Sequence, residues 1–261
     1  MDGVLERRFE SVGARLSLAE QPWRGAPRID VRSDASGEYF DIRFDGAGEE
    51  VEVEVVDARP RDRHLLLLVR QGGEKSKFLC GHDERHWFVA AIPETARGVT
   101  GVTTAKAALQ PDAVQALVER VRPKDRFRRR NEAFIRQGEW FFVPAGPRPE
   151  PPTAQIRRNE PLMRSPGAKP HVMQYAFRRG GSTVWVNSRS GAALSDAAYR
   201  KLSDKQRNRG GWQRMIREPE VYAKGAIRHS DHATIHLATW HRVLMNTENG
   251  ARAMRHVVFY D

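Results

Sequence analysis

Phe40-Asp41-Ile42-Arg43-Phe44 and Val51-Glu52-Val53-Glu54-Val55 alternate apolar and polar residues, and Arg63 to Arg70 follows as a continuous apolar run. A period of two sends successive side chains to opposite faces of a strand, so the first two segments read as half-buried β-strands. Lys77 to Cys80 and Trp87 to Ile92 flank the polar turn Gly81-His82-Asp83-Glu84-Arg85 and are expected to pair as a hairpin. Strands this closely spaced predict an antiparallel sheet of about five or six strands.

Upstream, Leu5, Phe9, Val12 and Leu16 form one helical stripe and predict a helix over Val4 to Leu18. Downstream, Leu109, Val114, Leu117, Val118 and Val121 restore a helical period, with one helix ending before Pro111 and another beginning there. A third helix is expected from Lys124 to Gln137, stopped by Gly138, and then an aromatic strand from Glu139 to Val143 that rejoins the first sheet. Five prolines between Pro144 and Pro152 break both helix and central strand. The expected division is therefore a domain over 1–143, a Pro-rich linker over 144–153 and a domain over 154–261. Within the last, strands are expected at His171 to Phe177, Ser182 to Asn187, Glu220 to Arg228, within Thr234 to Met245, and at Arg255 to Tyr260. Ser195 or Asp196 caps a polar helix running to about Gln206. The fold class is α+β: an N-terminal helix with an antiparallel sheet, a basic helical connection, then a mixed unit with mainly antiparallel strands.

Charge divides the chain unevenly. Residues 1–110 hold 16 Lys+Arg against 19 Asp+Glu, and residues 111–261 hold 28 against 14, a net of −3 followed by +14. A surplus of that size favours an anionic partner, and it consists mostly of arginine, whose planar guanidinium grips phosphate and stacks on bases. The densest run, Arg120 to Arg136, nets +6 in 17 residues. Basic residues also adjoin rings at Phe177-Arg178-Arg179, Tyr199-Arg200-Lys201, Trp212-Gln213-Arg214 and Trp240-His241-Arg242, a mixture suited to single-stranded nucleic acid. These features predict a nucleic-acid-binding protein, RNA favoured over DNA, that acts through Arg126, Arg128, Arg129, Arg130, Arg178, Arg179, Arg207 and Arg209. An alternative fate for the same charges is pairing with the acidic N-terminal part, which would suit a non-catalytic adaptor that binds protein partners.

His229, His232, His236 and His241 crowd into 13 residues and suggest a second alternative, a nuclease or other phosphate-directed enzyme. There His229 and His241 would serve as acid and base, with Arg242 stabilising the phosphorane. No metal or cofactor is expected, because His229, Asp231 and His232 would have to converge from a turn before an ion could join them. Cys80, His82 and His86 form Cys-x-His-x₃-His, but the chain has no second cysteine to complete a structural zinc site, and a lone cysteine on an apolar strand is ordinarily core. No phosphate-binding glycine loop, dinucleotide fingerprint, nucleophile elbow or His-Glu-x-x-His helix is present. The apolar runs fall far short of the roughly 20 residues that span a bilayer, so no membrane association is expected. A single cysteine and an N-terminus without a signal-peptide core lead to an expected cytoplasmic location.

Overall fold

The computed structural model describes residues 2–21, 28–45, 51–146, 150–164 and 168–250. It is an α+β fold with mostly antiparallel sheets and few helices. Helix α1 (Asp2–Ser11) buries Leu5 and Phe9, but it stops well before Leu18. Gly13 takes a left-handed φ of 79° just past the helix, a conformation in which glycine carries no Cβ penalty, and Leu16 becomes the first residue of a strand. Strands β1 (Leu16–Gln21), β2 (Arg28–Asp34) and β3 (Gly37–Asp45) form a three-stranded sheet with β3 in the middle, parallel to β1 and antiparallel to β2.

The meander that follows is β4 (Val51–Arg59), β5 (His64–Gln71), β6 (Glu74–Asp83) and β7 (His86–Ile92), paired in chain order. The single expected sheet is therefore two sheets, one of three strands and one of four. Alternation in β4 buries Val51, Val53 and Val55 and leaves Glu52 and Glu54 outside, where both pair with Arg70. The apolar run in β5 is continuous because both of its faces are covered. Leu65, Leu67 and Val69 pack with α1 and the first sheet, whereas Leu66 packs on the opposite side with Val102, Ala105 and Leu109. Helices α2 (Val102–Ala108) and α3 (Asp112–Val118) are separated at Pro111, as the spacing predicts.

The basic helix expected over Lys124 to Gln137 does not form. The chain makes a 3-10 turn at Pro123–Asp125, and the Asn131 side chain then takes over the local backbone bonds. Its Oδ1 accepts from the Ala133 and Phe134 N–H groups, and its Nδ2 donates to the Asp125 and Arg126 carbonyls. An asparagine that satisfies the backbone in this way competes directly with the helical ladder. Strands β8 (Ile135–Gln137) and β9 (Trp140–Pro144) follow as a hairpin around Gly138, whose φ is 57°.

Strand β9 does not rejoin the first sheet. After β10 (Arg157–Leu162) and β11 (His171–Arg179), the chain leaves for a small sheet made of β12 (Ser182–Asn187), β13 (Ala193–Ser195) and β14 (Trp212–Arg217). It returns as β15 (Glu220–Arg228) and β16 (Ile235–Met245), and β9 pairs with β16. The result is a six-stranded antiparallel sheet in the order β10-β11-β15-β16-β9-β8. Backbone hydrogen bonds thus join strands on either side of the Pro-rich segment, and a boundary drawn at 144–153 separates β9 from its partner. Glu150 of that segment is itself held on the sheet by Trp240 Nε1, at 2.6 Å, and Lys224 Nζ, at 3.0 Å.

The excursion over 182–217 carries helices α4 (Asp196–Arg200) and α5 (Asp204–Arg209), two short helices capped by Ser195 and Ser203 where one polar helix was expected. It leaves and re-enters the main sheet between the neighbouring strands β11 and β15. A Cβ at Gly181, where φ is 85°, would lie 2.7 Å from the Arg217 carbonyl oxygen, so the Arg179 to Gly181 tripeptide serves a tight crossing. The strand expected at Arg255 to Tyr260 lies outside the described residues.

Candidate functional site

The loop between β15 and β16 brings His229 and His232 against His171 at the start of β11. The His171 ring lies 4.1 Å from His229 and 5.7 Å from His232 by centroid, and the His229 and His232 rings are 4.7 Å apart. His171 is 2% exposed, and neither of its ring nitrogens has a hydrogen-bond partner. Burial, followed by the neighbouring His229 and His232, pushes the His171 pKa down to about 3. Burial is also the main reason that the His232 pKa is lowered. Asp231, the third member of the group suggested by spacing, points elsewhere: its carboxylate accepts from Lys169 Nζ at 2.9 Å.

His171 was missed by sequence reasoning because it lies far from the histidine cluster. Its only local signal is a polar residue that opens a buried strand. Strand register also places His241 opposite Ala223, five residues before Arg228, or about 17 Å along the sheet from the loop that carries His229. His241 is buried with Nδ1 against the Thr239 carbonyl, and Arg242 pairs with Glu220 at 3.1 Å. The suggested group of His229, His241 and Arg242 is thus not brought together.

Beside the histidines is a cavity of about 480 Å³ between β6, β7, the 123–139 segment and the β15–β16 loop. His64, Asp83, Arg129, Arg136, Phe134 and His232 are on its wall. Asp83 and Glu84, at the tip of the β6–β7 hairpin, take up the arginines of the basic run. Arg129 Nε donates to Asp83 at 2.8 Å, Arg129 Nη1 reaches Glu84, and Arg136 reaches Asp83 at 3.1 Å. Glu84 adopts a left-handed φ of 52° and accepts from the Ala233 N–H at 2.6 Å, which ties the hairpin to the histidine loop. A non-glycine residue held in that conformation requires surroundings that over-determine it, and Glu84 has them on both sides.

His64 on the cavity wall sits edge-on to Phe88. Burial, then the charge of Lys106, lowers its pKa to about 4. The unfolded chain takes up a proton near pH 6.5 and the folded chain only near pH 4, so stability falls as pH drops through that window. From pH 7 to pH 5 this group is expected to cost on the order of 2 kcal/mol. Urea unfolding of the wild type and His64→Gln at both pH values checks this, and equal pH dependence in the two proteins would refute it.

The eight arginines proposed as a nucleic-acid surface have different fates. Arg126 donates to the Val121 and Glu119 carbonyls, Arg128 pairs with Asp125 at 3.0 Å, and Arg129 is held at the hairpin tip. Arg178 pairs with Glu160, and Arg207 with Asp204 at 3.2 Å. Arg130, Arg179 and Arg209 are exposed and make no ion pair among the described residues. Trp140 is core, and Trp240 is engaged by Glu150 and Phe177. Trp185, Tyr199 and Trp212 form a half-buried group on the small sheet. The first two rings stack at 3.7 Å with an interplanar angle of 8°, and Trp212 meets Tyr199 edge-on at 5.9 Å.

Cys80 is buried in the N-terminal core, and burial raises its thiol pKa, as suits a packing residue. His86 pairs with Glu38 at 2.7 Å, and His82 packs against Trp87. No helix among the described residues is long and apolar enough to cross a membrane. No family model, curated protein or solved structure matches the chain.

Proposed function

We propose that the protein binds single-stranded nucleic acid, RNA before DNA, through the small sheet and helices of residues 182–217 together with Arg179. The observation that carries this reading is the make-up of that excursion. Eight Lys+Arg stand against Asp196 and Asp204 alone, around the three half-buried rings of Trp185, Tyr199 and Trp212. Charges of this density hold phosphates, and partly open rings offer stacking faces of any base sequence. Helices of five and six residues are too short to read a DNA major groove, which favours a single strand. Met215 and Ile216, each 45% exposed on the edge strand β14, add apolar surface to the same element.

The test is a titration of the untagged full chain with fluorescent single-stranded RNA over a range of salt. For a single strand, log K falls against log salt with a slope near 0.7 for each phosphate neutralised. Replacing Arg179, Arg209 and Arg217 together by Ala is expected to lower that slope by about 2. Binding that ignores salt, or that survives the triple replacement unchanged, overturns the reading. A second reading, a phosphate-directed enzyme, draws support from the cavity, where Arg129 and Arg136 lie beside His64 and His232. Multiple turnover of generic RNA in the same samples would favour it. Clean protein with neither binding nor turnover would favour an adaptor between proteins.

A further inference from the structure

We propose that His171, His229 and His232 form a three-histidine centre for a divalent transition-metal ion, zinc first among them, a site that goes beyond nucleic-acid binding. One ligand atom from each residue lies within 4.8 Å of the other two. The rings arrive from two separate places, His171 from the start of β11 and His229 and His232 from the β15–β16 loop, so the convergence of His171 with the other two is not a by-product of neighbours on one strand.

The first reason is an unmet need at His171. A buried neutral imidazole has one N–H and one lone pair to satisfy, and each left alone costs about 1–3 kcal/mol. At 2% exposure His171 satisfies neither, while its ring packs directly on the two other histidines. A bound ion engages one nitrogen outright.

The second reason is the support behind the other two rings. A histidine that ligates a metal generally directs its far nitrogen at a carboxylate or a backbone carbonyl, which sets the tautomer and the ring orientation. His232 Nδ1 makes no hydrogen bond in the present arrangement but lies 3.7 Å from Glu84 Oε2, so a small ring shift on binding brings it onto that carboxylate, which is itself anchored by the Ala233 N–H and Arg129. His229 Nε2 is 3.2 Å from the Lys169 carbonyl. His232 Nε2 and His229 Nδ1 are left for the ion, which replaces the present 3.1 Å contact from the Asp231 N–H to His229 Nδ1.

The third reason is space kept open by a glycine. A Cβ added at Gly138 would lie 3.0 Å from His232 Nε2 and 3.4 Å from His171 Nε2, so the bare Cα faces both nitrogens. Zinc–nitrogen bonds of about 2.0–2.1 Å in a tetrahedron place the nitrogens about 3.3 Å apart, so the rings close by up to about 1.5 Å on binding. Three imidazoles without a thiolate suit zinc, cobalt, nickel or copper and do not suit magnesium or calcium, which take oxygen ligands. With three protein ligands, a tetrahedral ion keeps a fourth position, and His232, Gly138 and Asp231 all border the cavity. That position opens towards the cavity, as in zinc sites that hold water or substrate.

The experiment uses the untagged full chain, stripped with chelator and titrated with Co²⁺, with the visible band of four-coordinate cobalt as the readout and Zn²⁺ as the competitor. The expected result is one ion per chain, displaced by Zn²⁺. His171→Ala is expected to abolish the band, and Glu84→Gln to weaken binding by about 10–100-fold. His236→Ala, an exposed histidine on β16, is expected to leave both intact. If His171→Ala does not fold, the half-exposed His229→Ala carries the same test. No band from a folded wild-type chain, a band that survives loss of His171 or His229, or equal loss in His236→Ala overturns the proposal.

Discussion

Asp83→Ala is expected to lower the free energy of unfolding by about 3 kcal/mol, the low end for a broken buried pair, because it strips Arg136 of its carboxylate at the cavity wall and leaves Arg129 with Glu84 alone. Arg129 and Arg136 are 35% and 27% exposed in their side chains, and Asp83 is 15% exposed. Burial works against the charged form of Asp83, yet Arg136 and Arg129 outweigh it and hold the carboxyl pKa below its usual value. That stability is present above the unfolded carboxyl pKa and is lost as pH falls through the folded one. Urea unfolding at pH 7 measures the effect. Glu52→Ala, which removes an exposed partner of Arg70, is the comparison and should cost well under about 1 kcal/mol. A loss of that small size for Asp83→Ala would show that water solvates the two arginines and that the hairpin tip does not hold the sheets together.

Phe142→Ala is expected to cost a similar amount, about 3–5 kcal/mol, by opening a cavity in the core of the six-stranded sheet. Phe142 is fully buried with Met173, Ala223, Ile227 and Leu237, and it stands opposite Ile135 on one side and Val243 on the other. Its neighbour Phe141 points to the other face and packs with Val114, Val118 and Phe134. Strand β9 therefore joins the helical segment to the sheet that carries the histidines. Hydrogen exchange should show the loss first in β8, β9 and β16. Unchanged protection there, with loss confined to the β4–β7 meander, would contradict the strand pairing.

The strands most legible from residues alone were those with local patterns. Val51, Val53 and Val55 alternate with glutamates, and the apolar run of β5 ends in a tight connection to β6. The basic run was less legible. Phe127, Phe134 and Ile135 have a spacing compatible with a helix, but Asn131 supplies the backbone with nearer partners and Gly138 closes a hairpin instead. The charges were legible as a surplus and not as a surface. Arg129 and Arg136 have the same local character as Arg130 and Arg209, yet the first two meet acids across the fold and the last two face solvent.

The sequence by itself determined the α+β class, the antiparallel meander, the break at Pro111 and the basic bias of the C-terminal half, because each depends on residue period, turn chemistry or a sum over composition. Tertiary structure alone decided that β9 pairs with β16, that His241 stands away from His229, and that His171 joins His229 and His232 beside Gly138. Those outcomes depend on strand register and on loops that bring distant segments within a few ångströms. Such closures are set by the packing of whole faces, and local spacing along the chain carries no record of them.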